Sequence, residues 1–188
     1  SSTVNPVTVN WSAMGAGSVT VTITDSVGCS ATDTINVPTC CISDTAAILI
    51  SNDTASVIFG PLTLIPHFFE RYDVNGTFII DQNITFLFCT FNMGPNGKII
   101  LTGGHNVVMK TCNIKAGCCE MWDAIEINAT DTLDMSSTYM GDGIRGIVSN
   151  NGGIFTLYQG NVFNRNLVSI TVNPFAGSHK GTVSGTTF

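Results

Sequence analysis

A spaced apolar pattern recurs five times between residues 84 and 188. Each copy has two apolar positions one residue apart, a small residue three positions later, and a further apolar residue two positions after that. The copies are Ile84/Phe86/Cys89/Phe91, Val107/Met109/Cys112/Ile114, Leu133/Met135/Thr138/Met140, Phe155/Leu157/Gly160/Val162 and a weaker Gly181/Val183/Thr186/Phe188. They begin 23, 26, 22 and 26 residues apart, which is typical of solenoids, whose turns bury their apolar faces against one another. Functional side chains are therefore expected on an exposed face of a solenoid.

A second, shorter strand is predicted within each repeat, at residues 98–101, 123–127, 144–148 and 168–172. Aligning these strands places one isoleucine from each in a single inward ladder, namely Ile99, Ile125, Ile147 and Ile170. Two or three short strands per turn, with Gly-rich corners between them, indicate an all-β, right-handed parallel β-helix. The small residues of the pattern form a predicted inner ladder of Cys89, Cys112, Thr138, Gly160 and Thr186.

The β-helix is predicted to occupy residues 39–188. Residues 39–82 are apolar but irregular, and we expect them to form the first coil or a cap over the open end of the core. Residues 83–188 form the repeated coils. Because Phe188 falls in the same position as Phe91, the last coil is expected to be incomplete and to continue into more chain or another subunit.

Residues 1–38 have a different pattern, the strict alternation of antiparallel β-strands at 7–11, 18–24 and 32–37. Three strands do not close a sandwich by themselves. The stretch VTVNWSAMGAGSVTVTITDSVGCSATDTINV resembles the second half of the PKD-like, immunoglobulin-type modules of Bacteroidota surface proteins. The resemblance implies a partial Ig-like β-sandwich, made of the C-terminal strands of such a module.

The coil region carries a second resemblance. The stretch NITFLFCTFNMGPNGKIILTGGHNVVMKTCNIKAGCCEMWDAIEI is similar to the β-helix region of large proteins exported by the Bacteroidota type IX secretion system. In those proteins a Cys-x-x-Met-Trp-x-Gly-Ile stretch recurs, and here residues 118–125 match it with Ala124 in place of the glycine. The two resemblances cover nearly the whole chain. They imply an extracellular, cell-surface location more than any activity.

The composition agrees with stacked β-structure at a polar but weakly charged surface. Hydrophobic residues make up 44% of the 188 residues and charged residues only 11%, compared with roughly a quarter in ordinary soluble domains. The net charge is −6 with seven Lys and Arg, so no basic stripe exists for a nucleic-acid partner. No apolar run approaches the roughly 18 residues that indicate a membrane span.

Seven cysteines favour an oxidising compartment. Cys29 and the two adjacent pairs, Cys40-Cys41 and Cys118-Cys119, are candidates for disulfide bonds in loops. Cys89 and Cys112 occupy the same position of successive repeats, so they are expected to be buried, stacked thiols, with a disulfide between coils as the alternative.

One acidic cluster is the best candidate for chemistry, and it contains Glu120, Asp123, Glu126, Asp131 and Asp134. β-Helices of the pectate-lyase type bind calcium through aspartates on one face and use an Arg or Lys as base, so a polysaccharide lyase or hydrolase is one interpretation. The alternative is structural, because the alignment places Asp123 beside Arg145 of the next coil, where an ion pair would form. We favour the structural interpretation and predict no catalytic residue, no resident metal and no cofactor, with calcium as the one exception to consider.

Two aromatic residues, Trp122 and Tyr139, are candidates for stacking on a glycan. Trp122 precedes a predicted strand next to Cys118-Cys119, where packing over a corner is the alternative role.

Five of the ten aspartates are followed by Ser or Thr and then an apolar residue. This resembles the O-glycosylation acceptor motif of Bacteroidota, which implies glycans on Ser26, Thr34, Thr45, Thr54 and Thr132. The alternative is that Asp-Thr pairs favour turns and strand starts.

Together these patterns predict a non-catalytic, extracellular structural or adhesive module of a large cell-surface or filament-forming protein. Its expected partners are other copies or further domains of the same protein, and extracellular glycans. A glycan-binding module and a polysaccharide lyase or hydrolase of the β-helix type are the alternatives.

Overall fold

The computed structural model describes residues 17–37, 46–60, 66–177 and 181–188. The chain divides into two compact units, Ser1–Cys41 and Ile42–Phe188. The division falls close to the boundary after residue 38 that the change of sequence pattern predicts.

The first unit contains an antiparallel hairpin of β1 (Gly17–Thr24) and β2 (Ser30–Val37). Its turn is closed by Asp25, whose carboxylate accepts the backbone N–H groups of Val27 and Cys29, both at 2.9 Å. Hydroxyl pairs such as Thr20 with Thr34, 3.1 Å apart, join the two strands on one face. The third predicted strand, residues 7–11, lies outside the described residues, so the structure shows a two-stranded sheet here and the finer Ig-like assignment stays a prediction.

The second unit is a parallel β-solenoid of about six turns, built from three sheets. Sheet I contains β3 (Ile48–Ile50), β6 (Arg71–Val74), β9 (Thr90–Met93), β12 (Asn113–Ala116), β15 (Tyr139–Gly141), β18 (Asn161–Asn164) and β21 (Thr186–Thr187). Sheet II contains β4 (Asp53–Thr54), β7 (Thr77–Ile80), β10 (Lys98–Leu101), β13 (Ile125–Ile127), β16 (Arg145–Ser149) and β19 (Val168–Val172). Sheet III contains β5 (His67–Phe68), β8 (Ile84–Leu87), β11 (Asn106–Lys110), β14 (Thr132–Ser136), β17 (Ile154–Tyr158) and β20 (Thr182–Val183). Each coil takes one strand from each sheet in the order I, II, III, so the predicted parallel β-helix is confirmed.

The sequence alternation sets which side of each strand is buried. In β11, Val107 and Met109 point inward and are fully buried, while Asn106 and Lys110 are exposed. The inward residues then stack in register from coil to coil, because a parallel sheet places equivalent residues about 4.8 Å apart. Met109, for example, lies between Phe86 and Met135.

The predicted isoleucine ladder of sheet II is also confirmed. Ile99 pairs with Ile125, Ile125 with Ile147, and Ile147 with Ile170. Phe78 of the preceding coil begins the ladder. Methyl-bearing side chains of one shape thus fill one edge of the core over four consecutive turns.

The segment 39–82, expected to be a first coil or cap, holds one coil and most of the next. β3 and β4 pair in parallel with β6 and β7. The short helix α1 (Ala55–Phe59) follows β4 directly, and its Phe59 ring contacts the buried aromatic rings of Tyr72 and Phe78.

Candidate functional site

A row of polar side chains lies inside the solenoid at the corners between sheets III and I, and we call Cys89, Cys112, Thr138, Asn161 and Thr186 the corner ladder. Its first four members each donate a hydrogen bond to a carbonyl of the preceding coil. The acceptors, in order, are His67 O at 3.3 Å, Phe86 O at 3.4 Å, Met109 O at 3.3 Å and Met135 O at 3.0 Å. The ladder therefore gives each of these four buried polar side chains a hydrogen-bond partner on the neighbouring coil.

The structure corrects one member of the predicted inner ladder. Asn161, fully buried, occupies the position expected for Gly160, because the sheet register pairs Tyr139 with Val162 and Asn161 with Thr186. Gly160 is an extra residue at this corner, with a backbone φ of +75°. In the sequence, the third and fourth copies of the repeat begin 22 residues apart, and this spacing aligns Gly160 with Thr138. The inserted residue becomes visible only in the geometry of the corner.

The corner ladder is preceded by an acidic residue, Glu70, in the equivalent position of the coil before Cys89. Its carboxylate accepts hydrogen bonds from Tyr72 Oη and from His67 Nδ1, the latter at 2.9 Å. Burial, and then the hydrogen bond to Glu70, raise the pKa of Tyr72 above its ordinary value. Sequence reasoning missed this group because His67, Glu70 and Tyr72 lie in the segment without a regular repeat.

Cys89 and Cys112 are neighbouring rungs of the corner ladder and are buried, free thiols. The interaction between the two thiols is the main cause that lowers the pKa of Cys89. The same interaction, together with burial, raises the pKa of Cys112.

The acidic coil forms an ion-pair network with the next coil. Arg145 Nη2 lies 2.7 Å from Asp123 Oδ1 and 3.4 Å from Glu126 Oε1, so the predicted pairing of Asp123 with Arg145 is confirmed. The hydrogen bond to Asp123 is the main cause that raises the pKa of Arg145. A second pair, Arg165 with Asp142 at 2.7 Å, joins the following coils.

The other acidic residues do not converge on this network. Asp131 is fully buried at the corner between sheets II and III, where its Oδ1 accepts the backbone N–H groups of Gly104 and His105 at 2.7 and 2.8 Å. Asp134 lies on the outward side of β14, and Glu120 is exposed. Within the described ranges, no group of three His, Cys, Asp or Glu side chains could hold a metal ion. The expectation of no cofactor, with calcium as the exception to consider, stays a prediction that a direct calcium titration can test.

The aromatic candidates occupy different environments from the one expected of a glycan platform. Trp122 is fully buried, and its Nε1–H donates to Gly141 O at 2.8 Å, so it packs under a corner and has no face open to a ligand. Tyr139 is half-buried and its hydroxyl accepts from Asn164 at 3.1 Å.

An exposed aromatic pair lies elsewhere, where Phe69 and Phe88 stack on adjacent coils with ring centroids 4.9 Å apart. They are 72% and 48% exposed, and Phe68 beside them is 49% exposed. A sequence signal for this pair exists at Phe88, which directly precedes the corner-ladder residue Cys89. Phe88 is apolar at a position where the alternation of the repeat does not call for a buried residue.

The cysteines outside the corner ladder have different states. Cys118 and Cys119 are disulfide-bonded. Cys29 is exposed and free at the hairpin turn, so the disulfide considered for it is not present. Cys40 and Cys41 lie outside the described residues.

The Asp-Ser/Thr sequences coincide with local backbone capping by the aspartates. Asp33 accepts from Thr34 N at 2.9 Å and Asp53 from Ser51 N at 2.7 Å, and Asp25 caps its own turn in the same manner. Asp131 differs, because it accepts from backbone N–H groups of the preceding coil. Of the hydroxyl residues predicted to carry glycans, Ser26 and Thr34 are exposed, Thr54 and Thr132 are half-buried, and Thr45 lies outside the described residues.

No protein-family model matches the chain, and comparison with curated proteins and with solved structures finds no significant match. In the described part of the chain, no helix has the length and apolar character needed to cross a membrane.

Proposed function

We propose that the chain is an extracellular structural or adhesive module of a large cell-surface or filament-forming protein. In this proposal the solenoid is a rigid spacer with an adhesive outer face, and the protein performs no catalysis. The observation that carries the proposal is that three of the five acidic side chains of the candidate cluster are engaged between coils. Asp123 and Glu126 hold Arg145, and Asp131 binds backbone N–H groups of the coil before it.

Asparagines make the same kind of contact, which supports a role as a rigid element. Asn128 donates to Leu101 O at 3.0 Å, Asn166 to Met140 O at 3.0 Å and Asn173 to Asn150 at 2.6 Å. Each of these bonds joins one coil to the coil before it. A stack held by buried apolar ladders and by side-chain bonds at its corners resists bending and shear between coils.

Two further observations support the extracellular location. Cys118 and Cys119 are disulfide-bonded, and disulfides persist mainly in oxidising compartments. The resemblance to Bacteroidota type IX proteins with PKD-like modules points to the same location. We extend the proposal to that secretion route and to O-glycans on the exposed Ser26 and Thr34.

Surface labelling of the source cells tests the location. Antibodies against the 188-residue chain should label intact cells, and proteinase K added outside should remove the signal while a cytosolic marker survives. Labelling that requires lysis of the cells would overturn the proposal. Intact mass of the 188-residue segment, expressed in the source cells, tests the glycans, because a mass equal to the bare 19.9 kDa polypeptide rules them out.

Deletion of residues 42–188 in frame tests the structural role. The expected result is weaker attachment or shorter surface filaments, with the remaining protein still exported.

An assay for unsaturated uronides, run on a panel of polysaccharides with and without calcium, tests the lyase alternative. Product that forms in proportion to enzyme would replace the structural proposal with that activity.

A glycan-binding role is the second candidate, and the exposed Phe69–Phe88 stack is the observation that favours it. Exposed aromatic rings are suited to stacking on the apolar faces of sugars. If they bind glycans, Phe69→Ser with Phe88→Ser should abolish binding on a glycan array. Trp122→Phe should leave binding unchanged, since Trp122 is buried.

A further inference from the structure

The corner ladder places two free thiols side by side on consecutive coils. Asn113 pairs in register with Thr90, and its N–H donates to Cys89 O at 2.9 Å, which sets Cys112 directly beside Cys89. Adjacent parallel strands lie about 4.8 Å apart. A disulfide requires Cα atoms about 4.4–6.8 Å apart, so the backbone of these two corners already has a compatible spacing.

The two thiols are neighbours in the ladder, and each donates to a backbone carbonyl of the preceding coil. The interaction between the two side chains lowers the pKa of Cys89, which favours the thiolate of that residue. The thiolate is the form that attacks a disulfide. Cys112, which keeps its proton, is placed to resolve the product. This division between an attacking and a resolving thiol is the one that dithiol oxidation requires.

Disulfide bonds elsewhere in the chain are what an oxidising environment would produce. Cys118 and Cys119 are already disulfide-bonded, whereas Cys89 and Cys112 are only 1% and 3% exposed. Access therefore arises while the coils are stacking during folding, or when the corner opens. Phe88, immediately before Cys89, is 48% exposed and has a positive φ of 58°, so opening of this corner exposes little further apolar surface at that residue.

We propose that Cys89 and Cys112 are a site of covalent modification, at which a disulfide oxidant converts the two thiols into an inter-coil disulfide. This inference is independent of the proposed function. The Cys89 thiolate attacks one sulfur of the oxidant and expels a thiolate, which leaves a mixed disulfide. Cys112 then loses its proton and attacks the Cys89 sulfur, which expels the second thiolate. The pair loses two electrons and two protons, and the oxidant disulfide is reduced to two thiols.

Peptide mapping of the full chain tests the proposal directly. The folded Cys29→Ser variant, which lacks the exposed thiol, is treated with oxidised glutathione, alkylated in denaturant and cut with trypsin. Trypsin cleaves after Arg71, Lys98, Lys110 and Lys115, so Cys89 and Cys112 fall in separate peptides, residues 72–98 and 111–115. The expected result is a linked pair of these peptides that dithiothreitol separates, and an intact mass lower by about 2 Da.

Three results would overturn the proposal. The first is recovery of both peptides alkylated and unlinked, with the circular dichroism unchanged. The second is glutathione retained on Cys89, and the third is either cysteine linked to a different partner.

The Cys89→Ser and Cys112→Ser variants, each made in the Cys29→Ser background, are the matched controls. The oxidant should raise the Tm of the parent by roughly 6–12 °C and leave that of either control unchanged. The comparison is made within each variant, so a lower starting stability does not affect it. If a control fails to fold, the peptide map of the parent decides alone.

Discussion

At the scale of single residues, the corner ladder shows that one position can be filled by different chemical groups if each performs the same task. A thiol, a hydroxyl and an amide succeed one another at Cys112, Thr138 and Asn161, and each donates to a carbonyl of the preceding coil. The requirement is physical, because a buried side-chain donor without a partner costs about 1–3 kcal/mol. The position therefore requires a small side chain that carries a hydrogen-bond donor, and several residue types meet this requirement.

We expect Asn161→Ala to lower the free energy of unfolding by about 2–4 kcal/mol, since it removes three hydrogen bonds in a fully buried site. Asn161 donates to Met135 O and Tyr158 O and accepts from Thr138 N. Urea unfolding followed by circular dichroism measures the change.

The matched control is Asn164→Ala, on the same strand. Asn164 is exposed, and its side chain donates to the Tyr139 hydroxyl at 3.1 Å, so its loss should cost less than about 1 kcal/mol. Equal effects for the two variants would contradict the role assigned to Asn161.

Corner residues with left-handed backbone offer a stabilising change. Thr111 is exposed with a φ of 53°, a conformation that disfavours β-branched side chains and suits Asn or Gly. Thr111→Asn should therefore raise the free energy of unfolding by about 0.5–1 kcal/mol.

Thr85→Asn provides the contrast, since Thr85 lies within the extended strand β8. There the same substitution should destabilise the protein, because Asn is unfavourable in strands. A destabilised Thr111→Asn variant would show that the threonine has a contact that outweighs its backbone strain.

At the scale of elements, the coils are joined by ion pairs whose strength depends on burial. The Asp123–Arg145 pair connects the start of one sheet II strand to that of the next, with side chains 28% and 34% exposed. A double-mutant cycle with Asp123→Asn and Arg145→Gln should give a coupling of about 0.5–1 kcal/mol in low salt. Most of that coupling should disappear in about 1 M NaCl, because the Debye length falls to roughly 3 Å.

The Asp142–Arg165 pair, which joins the next two coils of the solenoid, is the control. Arg165 is 68% exposed, so the equivalent cycle should give a smaller coupling that salt abolishes. A stronger coupling at Arg165 than at Arg145 would contradict the dependence on burial.

At the scale of the whole molecule, the solenoid contacts are between neighbouring coils, and a stack of this kind gives way unit by unit. Pulling residues 42–188 from both ends in an atomic force microscope should produce a series of extensions of about 8 nm, the contour length of one coil of roughly 23 residues. One all-or-none release would contradict independent coils.

The Asn161→Ala variant refines this measurement. Because Asn161 bonds the coil that contains Met135, its loss should lower the force of one extension and leave the others unchanged. A uniform fall in every force would instead indicate that the coils unfold as one cooperative unit.

The sequence by itself determined the architecture of the second unit, since its repeated alternation can be buried only by stacking. The in-register ladders Ile99–Ile125–Ile147 and the pair Asp123–Arg145 follow from that repeat. Only the tertiary structure decided where the repeat changes length. The insertion of Gly160 shifts the register by one residue and places Asn161 in the core, which depends on corner backbone angles that apolar spacing does not encode. The burial of Trp122, the His67–Glu70 contact and the proximity of the two thiols were likewise set by contacts between coils, because such contacts form between residues about two dozen positions apart in the chain.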